Sequence, residues 1–479
     1  MVRTFLPSTE KGGRALTPPM MDIMGKEEFE KCAEKEREEK RIDEENARLI
    51  QERKRYSGWV DSAQHLYDLV AVQTLTWPTL TVEWLRTPDG SGGWDDFSVN
   101  PKGHERDDVH RIMYATHAPE DEMNKNSVNI AQLYLPADDG ESDEESGDED
   151  LLENPPSFDI QDSFSMHMKP LLKIRKHLEV NRARHMPQDP CTIACKTMSG
   201  DVHVHLISKH IDADSTRDLE MINPGDTTRS IDPDLVLSGH TCDGYGLDWS
   251  NVQFGHIASG SDDSLVCHWD IAGGSSTSKT SLHPLHIYRG HGSIVNDVQF
   301  KNHEIDEFAS VGDDGYFILW DARSKQSSCV LEKAHGGVPV NALSFSLHDP
   351  NHFITASAKG DVSLWDTRRI AKPVHAFLSH TEEVLQIEWD PLHRGVFASC
   401  GGDKRVCIWD TGKIGQSLSS EESADDGPPE LIFLHGGHTD KVLDLSWNPT
   451  VEWTLVSCAE DNIMHVWTVN EDAICQSGK

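Results

Sequence analysis

The chain has 479 residues and a formal charge of −37, from 81 acidic against 44 basic residues. That balance disfavours direct nucleic-acid binding, which needs a basic footprint, and favours a basic protein partner drawn in by long-range attraction. There is no run of 18 apolar residues, so no membrane span is expected, and Met1 to Pro19 lack the apolar core of a signal peptide.

In chain order, residues 1–25 are rich in Pro and Gly without periodicity and read as a disordered tail. Residues 26–58 read as a charged helix. From Lys26 to Arg55 they lack Pro and Gly, and opposite charges sit four apart, as in Glu27/Lys31, Glu36/Lys40 and Glu44/Arg48. Ile42, Leu49 and Ile50 form a thin apolar stripe on that helix. A propeller-like β region is expected over 59–470. Thr81–Leu85, Val109–His117 and Val128–Leu135 are strand-like and form a degenerate first blade, and one early strand is expected to pair with the last blade and remove its open edge. The stretch 137–153, with nine acidic residues between Asp138 and Asp150, is an acidic loop. Leu171–Ile174, Val180–His185, Cys191–Lys196 and Val202–Ile207 supply a second degenerate blade, followed by a connection over 208–234. His203 and His205 alternate in a strand, but with no third ligand they read as ordinary core or surface histidines. The ten cysteines show no ligand quartet and read as reduced, mostly buried thiols.

From residue 239 one pattern recurs five times. Histidines 240, 291, 335, 380 and 438 open the copies, and tryptophans 269, 320, 365, 409 and 467 close them at spacings of 29, 29, 30, 29 and 29 residues. Ser259, Ser310, Thr355, Ser399 and Ser457 lie ten residues before their Trp; Asp263, Asp314, Asp403 and Asp461 lie six before. A fixed period of this kind means stacked supersecondary units, and the Gly-His to Trp-Asp bracket resembles the WD40 propellers. The resemblance implies a shared His, Ser/Thr, Asp and Trp hydrogen-bond network in each copy, incomplete in the third, where Lys359 stands in place of Asp. Five regular and two degenerate repeats give the expected fold, all-β: a seven-bladed WD40 β-propeller with an N-terminal α-helix. A second acidic insertion, 413–430, interrupts the last two copies, and 471–479 forms a short tail.

Three further segments are more specific. Leu66–Val70 with Leu75–Thr81, Glu179–Pro187, and Asp426–Leu431 with His435–Thr439 and Glu460–Met464 resemble the retinoblastoma-binding, chromatin-assembly-factor histone-binding propellers. The resemblance implies two histone sites. One is a groove for a core-histone helix, formed by Ile42, Leu49 and Ile50 with Asp425, Asp426, Pro428 and Pro429. The apolar stripe would take the helix's apolar face and the aspartates its basic residues. The other is the propeller's top face, taking a basic histone tail on His117, Glu179, Asn181, Arg182, Asp243, Tyr245, Asp313, Asn341, Glu383 and Glu460. Thr76, Asn296 and Pro339 stand where the resemblance implies acids, so the rim is less acidic than the pattern implies.

The function so implied is that of a non-catalytic, nuclear, histone-binding scaffold or chaperone serving chromatin assembly, deacetylase, remodelling or methyltransferase complexes. Two alternatives remain. Trp320-Asp321-Ala322-Arg323 and Trp365-Asp366-Thr367-Arg368 fit the WDxR pattern of substrate receptors of cullin-type ubiquitin ligases, with Arg323 and Arg368 as adaptor contacts. Acidic WD40 chaperones of ribosomal proteins also shield a basic client. No nucleophile–base constellation, phosphate loop or metal quartet stands out, so no catalytic residue, metal or cofactor is expected.

Overall fold

The computed structural model describes residues 41, 50–51, 53–86, 107–119, 126–136, 168–175, 178–209, 228–229, 232–273, 280–416 and 427–476. The expected 1–25 tail, the acidic loop 137–153, most of the 208–234 connection and most of the 413–430 insertion lie outside them. The described helix runs over 53–66, eight residues past the boundary expected at 58. Its continuation follows from spacing: Trp59 and Ala63, one turn apart, are both buried, with Val60 and Leu66 packed beside them.

Seven antiparallel sheets follow. Blade 1 comprises Thr79–Leu85, Asp107–Thr116, Ser127–Pro136 and Lys169–Arg175; blade 2 comprises Val180–Met186, Asp189–Thr197, Val202–Leu206 and Leu235–Leu237. Blades 3 to 6 begin at Leu247–Trp249, Val295–Phe300, Val340–Phe345 and Val384–Trp389. Blade 7 takes Val442–Trp447, Thr454–Ala459 and Ile463–Val469, and its fourth strand is Tyr67–Thr74, paired antiparallel from Tyr67↔Val469 to Thr74↔Ile463. The early strand therefore closes the ring as expected. The first strands of the blades contact one another in cyclic order, and that of blade 7 meets that of blade 1. The apolar core lies between neighbouring blades: Val82, Trp84, Ile112 and Leu133 of blade 1 pack with Val456, Cys458, Met464 and Val466 of blade 7.

One strand assignment changes. Lys169–Arg175 is the outer strand of blade 1, and blade 2 obtains its fourth strand from Leu235–Leu237. The chain passes from the outer strand of one blade directly to the inner strand of the next, so a sequence repeat is offset from a blade by one strand. Short parallel additions, Thr228–Arg229 and Ser281–Leu282, cover the outer edges of blades 1 and 2.

Each first strand has a free edge facing the central channel, and its N–H groups need acceptors. The preceding blade supplies several from side chains. Val82 N donates to Asp444 Oδ2 (3.0 Å), His185 N to Glu83 Oε2 (2.8 Å), Phe300 N to Asp248 Oδ2 (2.7 Å), Leu343 N to Asp297 Oδ2 (3.0 Å) and Trp447 N to Glu388 Oε2 (3.2 Å). The two remaining junctions use indoles: Trp249 Nε1 donates to Arg184 O (3.0 Å) and Trp389 Nε1 to Ser344 O (3.1 Å). The buried acids differ in charge state. Burial pushes Asp248 up to about 7 and Glu388 up to about 8. For Asp444 the adjacent Arg184 and Arg182 outweigh burial and hold its carboxyl below the usual range.

The Trp-centred networks are present with one substitution and one exchange. Ser310, Ser399 and Ser457 accept from Trp320, Trp409 and Trp467 Nε1 at 2.8, 2.8 and 3.2 Å and bond His291, His380 and His438 at 2.7, 2.8 and 2.7 Å. The third copy, expected to be incomplete, is complete: Asp361, two residues after Lys359, bonds His335, while Thr355 joins His335 and Trp365. The first copy is the altered one. There the buried Lys196 Nζ donates to Ser259 Oγ (3.3 Å), and Trp269 Nε1 has no partner among the described residues. Six of the eight described cysteines are buried.

Asp444 is inaccessible to solvent and bonds two guanidinium groups, Arg182 at 3.3 Å and Arg184 at 3.2 Å, besides Val82 N. Asp444→Asn would leave those cations buried without their counter-ion, a change that typically costs about 3–5 kcal/mol. Urea unfolding of the variant is expected to show a loss of that size, with blade 1 and blade 7 amides losing hydrogen-exchange protection first.

Candidate functional site

In an antiparallel blade the start of the first strand and the end of the second lie at the same end. The sequence-predicted top-face residues fall in those two places. Glu179, Asn181, Arg182, Asp243, Tyr245, Asn341 and Glu383 precede or begin first strands; His117, Asp313 and Glu460 follow second strands. They form one rim, organised in two groups.

The first group spans blades 1 to 4. His117 Nδ1 lies 3.2 Å from Glu179 Oε2. Asn181 and Arg182 face the backbone of the next blade: Asn181 Nδ2 donates to Gly244 O (3.1 Å), and Arg182 Nε donates to Tyr245 O (3.4 Å) while its NH1 reaches Asp444. These bonds hold the turn carrying Asp243 and the exposed Tyr245. Residue 244 must be glycine there, since a Cβ would lie 2.6 Å from Ser261 Cα. Asp262 N donates to Asp243 O (2.9 Å), which brings in an acid that the repeat pattern does not single out. Partial desolvation, then the facing Asp243 and Asp313, push Asp262 above the usual carboxylate range. The same Asp243 and Asp262, after burial, raise the Tyr245 phenol. Beneath them lies Lys196, lowered to about 8 by burial despite the acids around it. Mutually repelling carboxylates beside an exposed aromatic ring are suited to a cation, through charge and through the ring face.

The second group lies on blades 5 to 7. Asn341 Nδ2 donates to Val384 O (2.9 Å), fixing the strand start beside Glu383. Glu383 Oε1 accepts from Lys441 Nζ at 2.8 Å, and Glu460 N donates to Lys441 O (3.0 Å). The Glu383 hydrogen bond, with Glu460 and Glu382 nearby, raises the Lys441 ammonium. Lys441 was not legible as a rim residue, because nothing in the repeat places it beside an acid of the preceding blade.

Comparison with known families adds two matches. Residues 54–137 match the family model for the histone-binding protein RBBP4, also found in the CAF1 complex, and residues 282–321, 371–410 and 429–468 match the WD domain, G-beta repeat. The first match covers the helix, the ring-closing strand and the first three strands of blade 1; the others each hold an outer strand followed by three strands of the next blade. The chain belongs to the histone-binding WD40 propellers of the RBBP4 type.

In this RBBP4-type propeller the expected groove residues are only partly described. Ile42, Leu49, Asp425 and Asp426 lie outside the described residues; Ile50 is exposed, and Pro428 and Pro429 are half-buried. Of the three departures, Thr76 is exposed, and Pro339 contributes its carbonyl to Ala358 N (3.0 Å). Asn296 has a clear part: its Nδ2 donates to Asp313 Oδ1 (2.9 Å) and Val340 O (3.0 Å), so an amide orients Asp313 where a carboxylate would repel it. At the opposite end, Arg323 and Arg368 are paired with Asp321 and Asp366 of their own Trp-Asp units and leave 71% and 66% of their side chains exposed.

His435, His438 and His465 are buried with ring nitrogens close enough to suggest metal ligation, but their orientation does not fit. An ion must lie in the plane of each ring it binds. His438 and His465 are stacked, centroids 4.1 Å apart at 18°, so their planes do not converge on one ion, and His435 Nε2 bonds His465 Nδ1 at 3.0 Å. The trio instead extends a hydrogen-bonded chain in which Trp59 Nε1 donates to Tyr67 Oη (2.9 Å) and Tyr67 Oη bonds His435 Nδ1 (2.7 Å). Gly437 admits the indole, since a Cβ there would lie 2.7 Å from Trp59. Burial, then the neighbouring imidazoles, hold His435 and His465 well below the ordinary histidine value. The unfolded chain therefore binds protons that the folded chain refuses, and stability falls as pH drops below about 6.5. Urea midpoints between pH 7.5 and pH 5 are expected to decline in wild type and to decline less in His465→Gln, while a chelator leaves the wild-type Tm unchanged.

Proposed function

We propose that this chain is a non-catalytic, nuclear, histone-binding subunit that presents histones to chromatin assembly and modification complexes, taking a basic histone tail on the rim. The observation behind this reading is the group Asp243, Asp262 and Asp313 beside exposed Tyr245, where carboxylates from two blades raise one another's proton affinity and an incoming lysine or arginine relieves the repulsion. The net charge of −37 adds long-range attraction for the same class of partner. A histone helix would bind separately, at Ile42, Leu49 and Ile50 with Asp425, Asp426, Pro428 and Pro429.

Fluorescence anisotropy with histone-tail peptides tests the rim. Asp243→Asn with Asp262→Asn is expected to weaken binding about tenfold, as two exposed charge pairs of up to ~1 kcal/mol each would. Wild-type affinity should fall with added salt. In parallel, Asp425→Ala with Asp426→Ala should reduce co-purified core histones while leaving tail-peptide affinity intact. Undiminished peptide binding by the rim double variant would overturn the tail reading.

The exposed guanidinium groups of Arg323 and Arg368, on adjacent blades, favour a second role as a substrate receptor of a cullin-type ligase. Arg323→Ala with Arg368→Ala is then expected to abolish capture of the ligase adaptor without altering histone binding. Adaptor capture that ignores both changes would remove this role.

A further inference from the structure

The rim's two halves differ in one respect. On blades 3 and 4 the acids face each other and the exposed Tyr245, with their cation, Lys196, fully buried below. On blades 6 and 7 a cation is already present at the surface: Lys441 Nζ sits 2.8 Å from Glu383 Oε1, with 41% of the lysine and 37% of the glutamate side chain exposed. We propose that Lys441 is a built-in competitor, occupying on blades 6 and 7 the position a ligand lysine or arginine would take, so that a basic segment engages Glu383 only by displacing it. This inference rests on the reading of the rim as a site for a basic tail.

The backbone fixes the arrangement. Glu460 N donates to Lys441 O (3.0 Å), Lys441 N donates to Asp440 Oδ1 (2.9 Å), and Gly402 N donates to Glu383 O (2.9 Å). Gly402 lets the glutamates lie close against the backbone, since a Cβ there would come within 3.0 Å of Glu382 Oε2 and 3.3 Å of Glu383 Oε1. Three carboxylates, Glu382, Glu383 and Glu460, thus surround one ammonium group. An exposed pair of this kind is weak and screened by salt, so a ligand can exchange with it. The lysine lowers affinity for any basic segment, and it lowers it most for segments too short to reach both halves of the rim.

The test uses the full-length protein and a short fluorescein-labelled peptide of alternating lysine and serine. Lys441→Gln is expected to tighten binding about two- to fivefold at low ionic strength, the range set by one exposed ion pair. The gain should shrink toward physiological salt. It should be smaller in Lys441→Arg, which keeps the charge, and absent in Glu383→Gln with Lys441→Gln, which removes the acid the lysine covers. Unchanged or weaker binding by Lys441→Gln at an unchanged Tm overturns the inference. If that occurs while Asp243→Asn with Asp262→Asn still weakens the peptide, the tail reading survives and the competitor does not. If the peptide fails to bind wild type, both fall.

Discussion

The backbone edge that seven inner strands turn toward the central channel is the constraint on which the structure depends. N–H groups there are too enclosed to be left unpaired. The solution is lateral: an acid or an indole from one blade bonds the main chain of its neighbour, at every junction around the ring. Asp444 is the busiest member. It joins blade 7 to blade 1 and neutralises two arginines reaching across from blade 2. Through Arg182 the same carboxylate is tied to the carbonyl of Tyr245, so channel chemistry and rim geometry share a residue.

The fold was legible because its signals are periodic. The His-to-Trp spacing sets the blade count, and β-branched residues in Tyr67–Thr74 mark the strand that completes blade 7. The errors arose where a role passed between positions. Lys169–Arg175 has a good strand pattern, but pattern alone does not say which sheet receives a strand. Lys359 breaks the spacing of a network that Asp361 completes from two residues further on, because a side chain can reach the histidine from either position in the turn. Lys196 is the reverse case: a lysine in an otherwise apolar strand that takes the serine from Trp269. In the rim, the acids named by resemblance were found together, whereas Asp262 and Lys441 depend on proximity between blades, which spacing along one chain does not encode.

The rim's recognition capacity follows from geometry as much as from charge count. Several of its polar residues are already committed: Asn181, Asn341 and Asn296 hold main-chain carbonyls of adjoining blades, and Arg182 is held by Asp444. What they leave free for a partner is the carboxylates and one aromatic ring, groups that attract cations with little selectivity until their positions are fixed. Fixing those positions is the work of the amides. A surface prepared in this way spends little ordering entropy when a basic segment arrives.

The ring-closing strand has a consequence for synthesis. Tyr67–Thr74 is made early, yet its pairing partner ends at Val469. At about 5–20 residues per second, the ribosome takes roughly 20–80 s to cover the interval between them. Throughout that time a strand bearing Tyr67, Val70 and Ala71, all buried in the finished protein, waits beside a growing array of incomplete sheets. A nascent chain of this design depends on cellular holdases to keep that orphan strand from pairing with the wrong neighbour.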